Sequence, residues 1–115
     1  MTKITVYGIA NCDIIKKTMQ WYCKKNIGVD FHDYKKLGIK KEKLAQWCKE
    51  VGWEALLNKR STTFRTLPAE EQQKANNEKE AIHLMMANTS IIKRPVVETS
   101  NKLIVGYNEQ YFTKQ

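Results

Sequence analysis

Apolar and polar residues alternate over Ile4–Tyr7, and all four are β-branched or aromatic, the pattern of a short strand that Gly8 ends. After a loop through Ala10 and Asn11 the period lengthens. Ile15, Met19 and Tyr22 recur at helical spacing, so a helix of about 15 residues is predicted from Cys12 or Asp13 to Asn26. Asn11 is the expected N-cap, Asp13 suits the positive end of the helix dipole, and Gly28 is the expected C-terminal punctuation. Alternation returns over Val29–Tyr34 and predicts a second strand. Strand, helix and strand in this order imply a right-handed parallel unit.

The middle of the chain is helical in pattern. Leu44, Trp47, Cys48 and Val51 share one face of a helix predicted over Lys40–Val51, which Gly52 stops. A short helical turn is expected over Trp53–Asn58, a loop over 61–67, and a helix from Pro68 to Asn88 with a break near Asn76 and Asn77. Residues from about 40 to about 90 therefore form a helical insert. Val96–Tyr107 then reads as a β-hairpin turning at 99–102, and a short helix is expected from Glu109. The sum is an α/β protein, a mixed sheet flanked by helices, expected to be one domain over 1–115.

Composition supports this picture. A length of 115 residues with 42% hydrophobic residues suits one modest core, and 28% charged with 10% aromatic residues is ordinary globular usage. Apolar runs are only a few residues long, far below the roughly 20 that span a bilayer. The opening MTKITVYGIANC reads as a strand and not as a secretion signal, so a cytoplasmic location without a membrane is expected. The net charge of +8 is uneven, because residues 1–60 carry twelve lysines and one arginine against six acids. Most of these lysines come in pairs such as Lys16-Lys17 and Lys35-Lys36, which read as a solvated basic surface without specific nucleic-acid binding. Arginine occurs only three times, at Arg60, Arg65 and Arg94, and its planar fork suits oxyanions.

Cysteine carries the candidate chemistry. Cys12, Cys23 and Cys48 show no CxxC or CxxxC spacing, so neither a metal site nor a disulfide framework is expected. Cys12 stands where a loop enters a helix, and free N–H groups there favour a thiolate. Lys16, one turn on, adds positive charge. Cys23 and Cys48 fall within amphipathic helices and read as packing residues. Cys23 lies about 16 Å along the helix from Cys12, beyond disulfide reach. His32 and His83 lack partners at ligand spacing, and Trp21, Trp47 and Trp53 read as core or core-edge residues. Arg60 and Arg94 fall in loops. A hairpin beside the first strand would bring Arg94 near the Cys12 loop. Pro95 fits either a cis bond at a tight turn or an ordinary trans proline on an edge strand.

Three blocks of sequence resemble a known family. Tyr7-Gly8-Ile9-Ala10-Asn11-Cys12-Asp13 with Ile15-Lys16-Lys17 is similar to the YGIxNCDTxKKA motif of the ArsC/Spx family. Gly52–Arg60 with Thr62–Arg65 resembles its GWExLLNxRGTTxR motif, and Ile91–Pro95 contains its IKRP motif. The blocks keep the family order over nearly the whole chain, most nearly that of the YffB-like branch. The resemblance implies a thioredoxin-like fold of four strands with a helical insert, a cis bond at Pro95 and a nucleophilic thiolate at Cys12. It also implies an oxyanion site at Arg60 and Arg94, with Asn11 and Lys16 beside the thiol, and a monomer. The sequence departs from the motifs at Ile14, which replaces Thr, and at Ser61, which replaces Gly. No arginine stands at Val105–Asn108, where arsenate reductases place a third.

These departures favour a glutathione-dependent thiol reductase over an arsenate reductase. Glutathione, or another small thiol or oxyanion, is then a co-substrate with no bound cofactor. The Spx branch leaves a second reading, a redox-sensing regulator that binds RNA polymerase. Its CxxC switch is replaced here by Cys12-Asp13-Ile14-Ile15.

Overall fold

The computed structural model describes residues 3–100 and 102–112. The chain begins with β1 (Thr5–Gly8), α1 (Asp13–Lys24), β2 (Asp30–Asp33) and α2 (Tyr34–Leu37). It continues through α3 (Lys41–Val51), α4 (Trp53–Leu56), α5 (Thr62–Arg65), α6 (Ala69–Gln73), α7 (Glu78–Ala87) and a 3-10 turn, Thr89–Ile91. It closes with β3 (Val96–Glu98), β4 (Leu103–Val105) and α8 (Glu109–Phe112). Two compact units result, one from residues 1–37 and 94–115 and the other from residues 38–93.

The first unit holds a four-stranded mixed sheet in the order β2-β1-β3-β4. β1 pairs parallel to β2, with Tyr7 opposite His32 and Gly8 opposite Asp33. On its other side β1 pairs antiparallel to β3, with Tyr7 opposite Val96, and β3 pairs antiparallel to β4. The mixed, helix-flanked sheet is the one expected, and the hairpin lies beside the first strand.

Strand alternation sends Ile4, Val6, Val97 and Ile104 to one face, where they are buried with Tyr22 of α1 and Phe112 of α8. Met19, Trp21 and Phe31 pack at the margin of this cluster. Thr18, the one buried polar residue of the described chain, is satisfied because its Oγ1 donates to the Ile14 carbonyl at 2.7 Å. Gly8 lets α1 come close. A Cβ there would overlap Ile15 Cδ1, and Ile15 is itself 2% exposed.

Three local expectations are corrected. The residue at φ 59° after α1 is Asn26, and Gly28 does not adopt a positive φ, because the turn that ends α1 comes two residues earlier than predicted. Asparagine tolerates that conformation nearly as well as glycine. The stretch 61–67 is not simply a loop, for Thr62–Arg65 forms the helical turn α5. Ser61 caps it, accepting from Phe64 N at 3.2 Å. Cys23 does not pack in the core: it is exposed, one helical step past buried Tyr22.

The second unit is all helical, with α3 against α7 and α4. Leu44, Trp47 and Cys48 of α3 are buried, as are Ala81, Ile82, Leu84 and Met85 of α7. Gly52, at φ 86°, turns the chain out of α3 while its N–H donates to the Cys48 carbonyl at 2.8 Å. The expected break at Asn76 and Asn77 separates α6 from α7, and Asn77 Oδ1 caps α7 by accepting from Glu80 N.

Candidate functional site

The thiol-bearing loop leaves the C-terminal end of β1, and the sheet decides what lies beside it. Cys12 is the N-cap of α1, with φ −121° and ψ 128°. This corrects the expectation for Asn11, which is exposed and lies one residue before the cap. An extended Cys12 delays the helix to Asp13, and the Cys12 carbonyl accepts from Ile15 N at 3.1 Å and Lys16 N at 3.0 Å. No side chain caps the helix, which leaves the N–H groups of Asp13 and Ile14 without a capping partner next to a half-buried thiol. That position is suited to an anion. Asp13 is exposed in the first turn, and Lys16 is exposed one turn further on.

Antiparallel pairing of β3 with β1 carries the start of β3 to the same end of the sheet. Arg94 and Pro95 precede β3 directly, so they reach the end of β1 from which the Cys12 loop departs. The Arg94–Pro95 peptide is cis, and the Pro95 carbonyl accepts from Gly106 N at 2.8 Å. Arg94 is half-buried and lies within electrostatic reach of the Tyr34 phenol. Burial pushes that phenol well above its ordinary value, Tyr7 adds to the rise, and the Arg94 guanidinium pulls against both.

The first unit thus gathers Cys12, Asn11, Lys16, Arg94 and Pro95. Arg60 belongs to the second unit, in the turn after α4, where it is exposed and its N–H donates to Asn58 Oδ1 at 3.1 Å. It lines a cavity of about 290 Å3 there. Near Val105–Asn108, where arsenate reductases carry an arginine, the Lys17 ammonium sits 4.5 Å from the centroid of the Tyr107 ring.

The other two cysteines differ in environment. Cys48 is buried, and burial with the nearby Glu78 carboxylate pushes its thiol up to about 11. Cys23 is exposed on α1. No grouping of three or more His, Cys, Asp or Glu residues suited to a metal ion occurs among the described residues. No helix among them is long and apolar enough to cross a membrane.

Reading the sequence missed an aromatic cluster on the sheet. Tyr7 Oη donates to Glu98 Oε1 at 3.0 Å, and the Tyr7 ring lies 4.8 Å from the His32 ring and 6.2 Å from that of Tyr34. Period-two alternation places Tyr7 and His32 on one face, but only the register brings Glu98 to them.

Known proteins add a lineage to this geometry. A sequence model of the ArsC family matches residues 7–114. The solved structure of a YffB protein is 42% identical, covers 97% of each chain and superposes with a TM-score of 0.91. An arsenate reductase (ArsC) related protein from Brucella melitensis is also 42% identical, covering 97% of this chain and 92% of its own with a TM-score of 0.76. At greater distance, the global transcriptional regulator Spx of Streptococcus agalactiae is 24% identical over 108 residues, 92% of this chain and 77% of its own length.

Proposed function

The chain belongs to the ArsC family, and from that premise we propose that it is a glutathione-dependent thiol reductase with Cys12 as its nucleophile. The observation that carries this reading is the half-buried Cys12 thiol at the uncapped start of α1, in the stretch that resembles the family's cysteine motif. In the proposed reaction the Cys12 thiolate attacks the glutathione sulfur of a mixed disulfide. A Cys12–glutathione disulfide forms, and the other thiol leaves as its thiolate. A second glutathione thiolate then attacks the glutathione sulfur bound to Cys12. Oxidised glutathione leaves and Cys12 returns to the thiolate.

External resolution follows from the cysteine placement. Cys23 stands about 16 Å along α1 from Cys12 by helical rise, and Cys48 is buried. Arg94, in the same unit as Cys12, is proposed to hold a carboxylate of glutathione or a substrate oxyanion through charge-assisted bonds, and Arg60 is proposed as a further anion-binding residue. Lys16 and the Asn11 amide are proposed to assist beside the thiol. The lack of arginine at Val105–Asn108 supports a thiol substrate over arsenate.

Mass spectrometry after treatment with oxidised glutathione tests this. A single glutathione adduct is expected on Cys12, lost in Cys12→Ser and retained in Cys23→Ser, with turnover of a mixed-disulfide substrate lost alongside it. An unmodified Cys12, or undiminished turnover in Cys12→Ser, would overturn the proposal. The likeness to Spx supports a second reading, a regulator that docks on RNA polymerase. It predicts polymerase retained by immobilised protein at physiological salt, and a clean column counts against it.

A further inference from the structure

The insert contains a cavity with an unusual balance of groups. Its volume of about 290 Å3 is just below the roughly 300–1,000 Å3 of small-molecule sites, enough for a compact ligand. Its lining includes Trp53, Glu54, Leu57, Lys59, Arg60 and Lys93. Backbone pairing explains how residues so far apart in sequence meet. Asn58 N donates to the Ile91 carbonyl and Lys93 N to the Leu56 carbonyl, both at 2.8 Å, and Leu57 and Ile92 form an antiparallel bridge. This fastens Lys93 beside the Lys59-Arg60 turn, which Asn58 Oδ1 holds by accepting from Arg60 N.

Three cations from two chain segments therefore line one cavity against the single carboxylate of Glu54. None of the three forms an ion pair among the described residues. Like charges around a concave, partly apolar surface repel one another and attract an anion. The apolar wall is informative too. Trp53 is half-buried, and the Lys59 ammonium rests 5.7 Å from its ring centroid. A cation–π contact of an exposed lysine is weaker than the stacking of a flat ring on an aromatic side chain. A flat ring would thus outcompete Lys59 for the indole and free its ammonium, and the exposed Glu54 carboxylate can accept from a hydroxyl or amine.

We infer that this cavity binds a small molecule in which a phosphate or carboxylate is tethered to a flat ring. The anion lies on Arg60 and Lys93, and the ring lies on Trp53. The inference requires no thiol chemistry and stands apart from the role proposed for Cys12. Arg60 serves in both, so Trp53 and Lys93 are the discriminating positions.

Titration of the 15N-labelled full-length chain, followed by NMR, tests it with adenosine 5′-monophosphate, salicylate, adenosine and inorganic phosphate. Adenosine 5′-monophosphate or salicylate is expected to shift the Trp53 indole N–H and the amides of 57–60 and 93 saturably, about tenfold more tightly than inorganic phosphate or adenosine alone. The tighter of the two identifies the phosphate or the carboxylate source. Lys93→Gln should weaken that binding about fivefold while leaving glutathionylation of Cys12 intact. Trp53→Leu should remove the advantage over inorganic phosphate, and Trp53→Phe, which keeps a flat wall and guards against a folding defect, should retain most of it. Ring-bearing anions that bind no better than inorganic phosphate, or shifts that avoid Trp53, would overturn the inference. Its failure leaves the Cys12 adduct unaffected, and failure of the adduct leaves this titration unaffected.

Discussion

Three tyrosine hydroxyls of the first unit show how differently one atom can contribute. Tyr7 Oη donates to Glu98, whereas the Tyr22 and Tyr34 hydroxyls are buried without a hydrogen-bond partner. A buried unsatisfied polar group costs about 1–3 kcal/mol, and a made hydrogen bond contributes about 1 kcal/mol. Tyr34→Phe and Tyr22→Phe are therefore expected to stabilise the protein by about 1 kcal/mol each, and Tyr7→Phe to destabilise it by a similar amount. Urea unfolding midpoints measure all three, and a loss in Tyr34→Phe would contradict the unpaired hydroxyl. At this scale the sequence was legible where chain position sets the environment. Cys12 at a helix start follows from the change of period after Gly8. Glu98 beside Tyr7 was not legible, because those residues are 91 apart and only strand register joins them. Cys23 was misplaced because it adjoins Tyr22, and one helical step of about 100° separates a buried position from an exposed one.

Among the elements, the contact of α1 with β1 is the most exacting. Gly8 lies against Ile15, so Gly8→Ala forces the Ile15 side chain out of its packed position. A loss of about 1–3 kcal/mol is expected, the usual cost of overpacking. Chemical denaturation measures it, and Ile15→Val in the same chain should restore part of the loss by removing the Cδ1 that a Cβ at position 8 would meet. An unchanged midpoint in Gly8→Ala would show that α1 can shift without cost. Periodicity was sufficient for α1, α3 and the hairpin, whose apolar faces are long enough to register. It was insufficient for α5, where Ser61, Thr62 and Thr63 resemble a polar loop. The capping oxygen of Ser61 was the available signal. The end of α1 was misread for a related reason: Gly28 looked like the natural stop, but Asn26 takes the left-handed conformation first.

At the scale of the whole molecule, stability should depend on alkaline pH through groups in both units. Burial pushes the Cys48 thiol up to about 11 and the Tyr22 phenol up to about 12. Such groups keep their protons longer in the folded chain than in the unfolded one. Their contribution is complete below the unfolded values, about 8.5 for a thiol and about 10 for a phenol. It is lost as pH rises through the folded values. Unfolding midpoints should therefore fall from about pH 9 upward, and Cys48→Ala should flatten the part of the decline between pH 9 and 11. A flat profile to pH 11 would contradict this burial of the thiol. The mixed sheet and a helical middle were readable from the order of periods along the chain. The strand order β2-β1-β3-β4 was not, since nothing local states which edge of β1 a returning hairpin will occupy.

The placement of β3 beside β1 has a consequence for how the chain is made. β1 is completed at residue 8, but its antiparallel neighbour ends at residue 98. At a synthesis rate of roughly 5–20 residues per second, β1 waits several seconds on the ribosome with one edge unpaired. The helical segment 38–93 is contiguous and has its own buried side chains, so it can fold during that interval. The nascent chain then presents a finished helical unit and an open strand edge together, and that edge is where a chaperone or a neighbouring nascent chain would engage it.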